Sequence, residues 1–222
     1  MSNSGQTSEV TPQVLLRAYS IGMFPMAEGA DDPTLFWVDP DLRGIFPLDR
    51  MKVSKSLART IRSDVYDVRI NEDFEAVIDG CAAMTPDRPN TWINQRIRKL
   101  YRDLFDFGFV HTVEVFSGQE RVGGLYGVKI GAAFFGESMF HRATDASKVG
   151  LMHLAGRLRA GGFRLLDTQF VTPHLARLGA VEVPRDAYHF LLDAAIGQTA
   201  DFNVWPKGDV VPGARILDIL KA

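Results

Sequence analysis

The chain has 222 residues, 46% of them hydrophobic, and a formal net charge of −2 at pH 7. That is enough apolar mass for a substantial core, in one medium domain or in a small unit beside a larger one, and it excludes an intrinsically disordered chain. The near-neutral balance argues against a protein that coats nucleic acid, and no apolar run approaches the ~18 residues of a membrane span.

The first nine residues are polar and lack the basic and apolar regions of a signal peptide, so a soluble, cytoplasmic protein is expected. Thr11 followed by Pro12 is an N-cap with a first-turn proline, starting a helix that runs to about Ser20 and stops near Gly22. Met23, Phe24, Pro25 and Met26 leave it as an extended apolar segment. A turn at Asp31, Asp32 and Pro33 leads into a short strand over 35–38, and Pro40 and Pro47 break the segment after it. Residues 1–50 thus read as a small N-terminal α/β domain, and residues 51–222 as a larger one.

The larger part opens with a helix that Ser54 caps, a strand over 65–70 and a helix over 73–82. A loop over 85–90 precedes a helix over 93–107, ended by Gly108. Strands over 110–116 and 122–128 and a tight turn at 129–131, which returns the chain through 132–136, form an antiparallel meander. Thr144 caps a helix to about Arg159, with Leu151, Leu154 and Leu158 on one stripe. A buried strand over 163–170, a short helix over 174–178, a strand over 181–183 and a helix over 186–196 come next. The tail after Gln198 offers only the apolar run 216–220, and the whole pattern is α+β.

Cys81 lies on an apolar helical pattern and reads as a packed, inert thiol. The five histidines show no metal-ligand spacing, so no metal site is expected, although His111 and His174 can titrate near a pocket. The charge is uneven: residues 43–62 carry +5 and the remainder −7. Within that segment Lys55, Arg59 and Arg62 share one helical face, a stripe suited to a short piece of phosphate backbone and equally to a plain solvated surface. Asp167 and Gln169 leave one face of their strand, and Leu166, Thr168 and Phe170 the other. Such a pair can bond neighbouring backbone at a strand end, or, with Glu137 in an otherwise apolar run, form the polar rim of an apolar pocket. The glycines at 123, 124, 127 and 131 match no phosphate-binding loop and mark hairpin turns, and the acetyltransferase pyrophosphate loop is missing before the long helix, so acetyl-CoA fits poorly.

Ordered blocks across most of the chain carry a resemblance. They include Gly22-Met23-Phe24-Pro25, Trp37-Val38-Asp39-Pro40, Thr91-Trp92-Ile93, Phe135-Gly136-Glu137-Ser138-Met139-Phe140, Ala146-Ser147-Lys148 and Leu166-Asp167-Thr168-Gln169. In these the chain resembles the leucyl/phenylalanyl-tRNA-protein transferases, which move an amino acid from tRNA onto a protein's N-terminus. The resemblance implies a larger domain of N-acetyltransferase (GNAT-type) fold. It also implies aminolysis of an ester, in which the α-amine of a protein starting with Arg or Lys attacks the carbonyl that joins Leu, Phe or Met to the tRNA 3′ adenosine, marking that protein for degradation.

Catalytic roles then fall to Asp167, as general base or electrostatic orienter, to Gln169, which holds the amine or the developing oxyanion, and to Glu137 at the polar end of the pocket. The donor side chain is expected among Leu125, Phe134, Met139, Leu151, Leu154, Leu158 and Leu166. Such a pocket tolerates several unbranched apolar groups, since each missing methylene is worth only ~1–3 kcal/mol. The adenosine is expected near Tyr19, Met26 and Trp92, with Met26 where some members carry a tryptophan, and the acceptor stem at Lys55, Arg59 and Arg62.

Overall fold

A computed structural model describes residues 10–85 and 89–222, so the loop expected over 85–90 falls partly outside the described residues. A seven-stranded sheet runs in the order β4 (Asp67–Ile70), β5 (Val110–Ser117), β6 (Glu120–Ile130), β7 (Ala133–His141), β8 (Leu165–Gln169), β3 (Leu42–Phe46), β9 (Val181–Pro184). Its pairings are antiparallel except that of β7 with β8, which is parallel and bridged by the helix α5 (Ala146–Ala160). A two-stranded ribbon of β1 (Phe24–Met26) and β2 (Phe36–Val38) lies beside it.

Helices cover both faces of the large sheet. One apolar cluster joins α1 (Pro12–Ser20), α3 (Phe74–Ala82), α4 (Gln95–Asp106) and α7 (Arg185–Ile196) to the sheet through residues such as Tyr19, Phe74, Tyr101, Phe135 and Tyr188. The second joins α2 (Lys55–Arg62), α5 and α8 (Gly213–Lys221) through Leu57, Leu125, Phe134, Leu154 and Ile216. The architecture is therefore mixed α/β, consistent with the α+β reading. Several helices begin where short polar side chains satisfy an orphan amide: Thr11 accepts from Val14 N at 3.3 Å, and Ser54 from Leu57 N at 3.2 Å.

Three segments differ from expectation. Pro40 and Pro47 do not break the chain into loop but bracket β3, which places part of the first fifty residues inside the large sheet, between β8 and β9. Proline is excluded from the ladder but not from its ends. The long helix is not capped by Thr144; Asp145 occupies the N-cap with φ 64° and no side-chain cap bond, and its carboxylate instead meets Lys148 Nζ at 2.6 Å. The apolar run in the tail is the inner face of α8, whose Ile216, Leu217 and Leu220 are buried.

β7 also extends past the expected 136 and contains the irregularity that matters for the site. Tyr126 pairs with Ser138 but Gly127 pairs with Gly136, so Glu137 is an extra residue, a β-bulge. Phe134 and Met139 consequently join the same cluster, while Phe135 and Phe140 join the other, a distribution that strict alternation forbids. Opposite the bulge, a Cβ on Gly127 would lie 2.4 Å from both the Phe135 carbonyl oxygen and the Phe134 ring. We therefore expect Gly127→Ala to cost ~1–3 kcal/mol of stability through overpacking, whereas Gly29→Ala, where a Cβ meets nothing within 4 Å, stays within ~0.5 kcal/mol. Denaturant midpoints of the two variants test this, and equal midpoints would remove the steric role of Gly127.

Candidate active site

Asp167, in β8, is fully buried and is not among the residues that line the apolar cavity beside it. Arg43, in β3, reaches it with Nε 3.0 Å from Oδ1 and Nη2 2.6 Å from Oδ2, Tyr188 donates its hydroxyl to Oδ2 at 2.6 Å, and the Gln169 amide donates to Oδ1 at 2.6 Å. Both carboxylate oxygens are thus taken up by neighbours, the last bond being the strand-end contact anticipated as the bland reading. A carboxylate held in this way cannot receive an incoming amine without losing a partner. Of the two roles expected of Asp167, these contacts suit electrostatic orientation better than proton abstraction.

Arg43 adds to the charge of residues 43–62 but not to their surface, because its guanidinium is buried. It lies between the rings of Phe24 at 4.4 Å and Tyr188 at 4.5 Å, and its Nη1 donates to Gly22 O at 2.7 Å. Burial works against its charge, but Asp167 outweighs burial and the pKa is raised.

Glu137 occupies a different environment. Its Oε1 accepts from the Tyr19 hydroxyl at 2.6 Å, and its Oε2 from the Tyr101 hydroxyl and from Gln169 Nε2, each at 3.1 Å. The two tyrosine hydroxyls also contact each other. Burial lifts its pKa from 4.5 to about 7; the hydrogen bonds from Tyr19, Gln169 and Tyr101 oppose that rise and the charge of Asp167 adds to it. The bulge residue lines a cavity of about 90 Å³, partly open to solvent.

Of the expected pocket residues, Leu125, Met139, Leu151, Leu154 and Leu166 line this cavity with Glu137. Phe134 and Leu158 lie behind it, fully buried, with Phe134 stacked on Phe202 at 5.6 Å between centroids. Sequence reasoning missed Phe46, Tyr126, Thr168 and Leu175, which line it as well, with Gly136 and Ser138. It also missed Arg43, Tyr101 and Tyr188. An arginine between apolar residues and two prolines is a usable signal, but the tyrosines offer none.

Tyr19 cannot stack on a nucleoside, since it is fully buried and its hydroxyl is spent on Glu137. Met26 and Trp92 are partly buried at the rim of the same core cluster. Lys55, Arg59 and Arg62 are exposed on α2, whose Leu57 and Ile61 face inward. His111 accepts or shares a hydrogen bond with Asn71 at 3.1 Å and stacks on Phe202, and burial lowers its pKa to about 4, so it is a neutral packing residue outside the site.

Residues 45–193 match the sequence model of the family described as leucyl/phenylalanyl-tRNA protein transferase, and residues 8–41 match the N-terminal domain described for it. The leucyl/phenylalanyl-tRNA--protein transferase of Rhodopseudomonas palustris strain HaA2 is 58% identical over 221 residues, covering 100% of this chain and 99% of that protein. Proteins of the same name from Afipia carboxidovorans and Nitrobacter winogradskyi are each 57% identical, over 99% and 98% of the chain and 97% and 96% of their own lengths.

Two measurements probe the site. Arg43→Met leaves Asp167 charged and unpaired in the interior, and we expect a loss of ~3–5 kcal/mol in equilibrium unfolding; a loss below about 1 kcal/mol would show that the pair is dispensable. Glu137 binds its proton more tightly in the folded chain than in the unfolded one, so that stabilisation is complete below pH 4.5 and is lost as pH rises to about 7. Wild type should therefore weaken relative to Glu137→Gln across that window and hold level above it. A difference that does not change with pH would refute the raised pKa.

Proposed function

Because the chain belongs to the leucyl/phenylalanyl-tRNA protein transferase family and is an aminoacyltransferase, we propose that it moves Leu, Phe or Met from aminoacyl-tRNA to the α-amine of proteins that start with Arg or Lys. The transfer marks those proteins for degradation, takes place in the cytoplasm and uses no cofactor. The observation that carries this reading is the apolar cavity that closes on Glu137, an acid with a pKa of about 7. A leucyl, phenylalanyl or methionyl side chain fills the apolar part, and its ester carbonyl then lies toward Glu137 and Gln169.

The ester is already activated, so positioning supplies much of the rate. The α-amine nitrogen attacks the carbonyl carbon and gives its proton to the Glu137 carboxylate. The tetrahedral intermediate collapses, the new C–N amide bond stays, and the C–O bond to the 3′ ribose oxygen breaks as that oxygen takes a proton from Glu137. Gln169, through its bond to Glu137, orients the acid, and the Arg43–Asp167 pair fixes the strand that presents Gln169. Trp92 and Met26 receive the adenosine, whose stacking contributes ~1–3 kcal/mol, and Lys55, Arg59 and Arg62 receive the acceptor stem. We assign the larger unit to the N-acetyltransferase type and keep a small N-terminal unit, with the boundary near residues 41–45 where the two family matches meet.

Charged Leu-tRNA mixed with a peptide that starts with Arg should yield a Leu-Arg peptide bond; binding of both without bond formation would overturn the proposal. The rate should rise with pH through about 7 as Glu137 ionises, and again as the acceptor amine loses its proton near 7.7–8.0. Glu137→Gln should lose the first rise and run ~10²–10⁴-fold slower. Retention of both rises in that variant would take the acid–base role from Glu137.

A further inference from the structure

We propose that a basic groove between α2, the start of α5 and the short helix α6 (Pro173–Arg177) carries the phosphates of the single-stranded 3′ end of the donor tRNA, from the exposed face of α2 to the apolar cavity. This rests on the transferase reading above.

Two adjoining concavities form the groove. Lys52, Ser54, Ser56, Lys148, His174 and Arg177 line the first, and His141, Arg142, Thr144, Lys148 and His174 the second. Asp145, Lys148 and His174 line both, so the two are continuous. At one end Ser54 caps α2, the helix that displays Lys55, Arg59 and Arg62. Where the two concavities meet, His174 is followed by Leu175, which lines the apolar cavity. The groove thus connects the two places where a charged tRNA must be held.

Its charge fits a polyanion. Lys52, Lys148, Arg142 and Arg177 face one carboxylate, Asp145, which Lys148 engages at 2.6 Å. Lys52 and Arg177 have no carboxylate partner among the described residues. His174 registers the surplus: burial lowers its pKa first, then Lys148, His141 and Arg177 lower it further. The hydroxyls of Ser54, Ser56 and Thr144 add donors suited to phosphate oxygens. A protein acceptor enters as a cation at its α-amine and is disfavoured here, whereas a nucleotide strand carries one negative charge per residue.

The test compares two donors, full-length Leu-tRNA and leucyl-adenosine, which has no phosphate. Lys52→Gln/Lys148→Gln/Arg177→Gln should raise KM for Leu-tRNA at least about ten-fold at physiological salt and flatten the dependence of log KM on log salt by about 2, the sum of ~0.7 for each lost single-strand contact. Transfer from leucyl-adenosine should be unchanged. Arg177→Gln alone, which leaves the Asp145–Lys148 pair intact, should flatten the slope by ~0.7. A matched loss of the exposed cations Lys99, Arg164 and Lys221 should leave the slope as in wild type. An unaltered slope in the triple variant, or equal impairment with both donors, would overturn the groove. Failure of the wild-type protein with either donor would instead overturn the transferase reading, and this inference with it.

Discussion

The buried pair of Arg43 and Asp167 is the constraint on which the site depends. A charge of either sign in this interior is tolerable only with its partner, and each partner comes from a different strand, β3 and β8. Arg43 goes further than neutralising Asp167. Phe24 and Tyr188 pack on its guanidinium, and one nitrogen is fixed on Gly22 O, so a single side chain holds together the end of α1, the β1 ribbon, strands β3 and β8 and α7. Replacing such a pair by well-packed apolar groups is often neutral for stability, whereas removing one partner leaves a buried charge uncompensated.

Glu137 stands in a different environment, where burial raises its pKa. The two carboxyl groups lie in one neighbourhood, and the charge of Asp167 is among the influences that raise the pKa of Glu137. One carboxyl has a guanidinium, a phenol and an amide as partners; the other has two phenols and a carboxamide, none of them charged. Environments that separate two acids in this way commonly divide their labour, one structural and one available for proton transfer.

The sequence made much of the fold legible. Thr11 and Ser54 mark helix starts where the structure has them, and the meander is readable from its glycine turns and apolar runs. β3 was not legible, because Arg43 and Gly44 interrupt its alternation and its partners lie more than a hundred residues away, at Asp167 and Tyr188. The division of the leucines was only half legible. Leu151, Leu154 and Leu158 lie on one stripe of α5, yet Leu158 is a turn too deep to reach the cavity, and depth is set by the neighbouring strand rather than by spacing. Glu137 was recognisable as unusual, but not its β-bulge, because an extra residue in a strand has no compositional mark.

Tyr19 donates to Glu137 from α1, near the start of the chain, across an interval that contains most of the sheet. The acid is thereby tuned by a residue synthesised well over a hundred positions before it. Until that early helix docks, the carboxyl lacks one of its phenolic partners. Completion of tertiary assembly is therefore also the moment at which the chain becomes chemically competent, so partly folded forms carry a pocket without its acid in register.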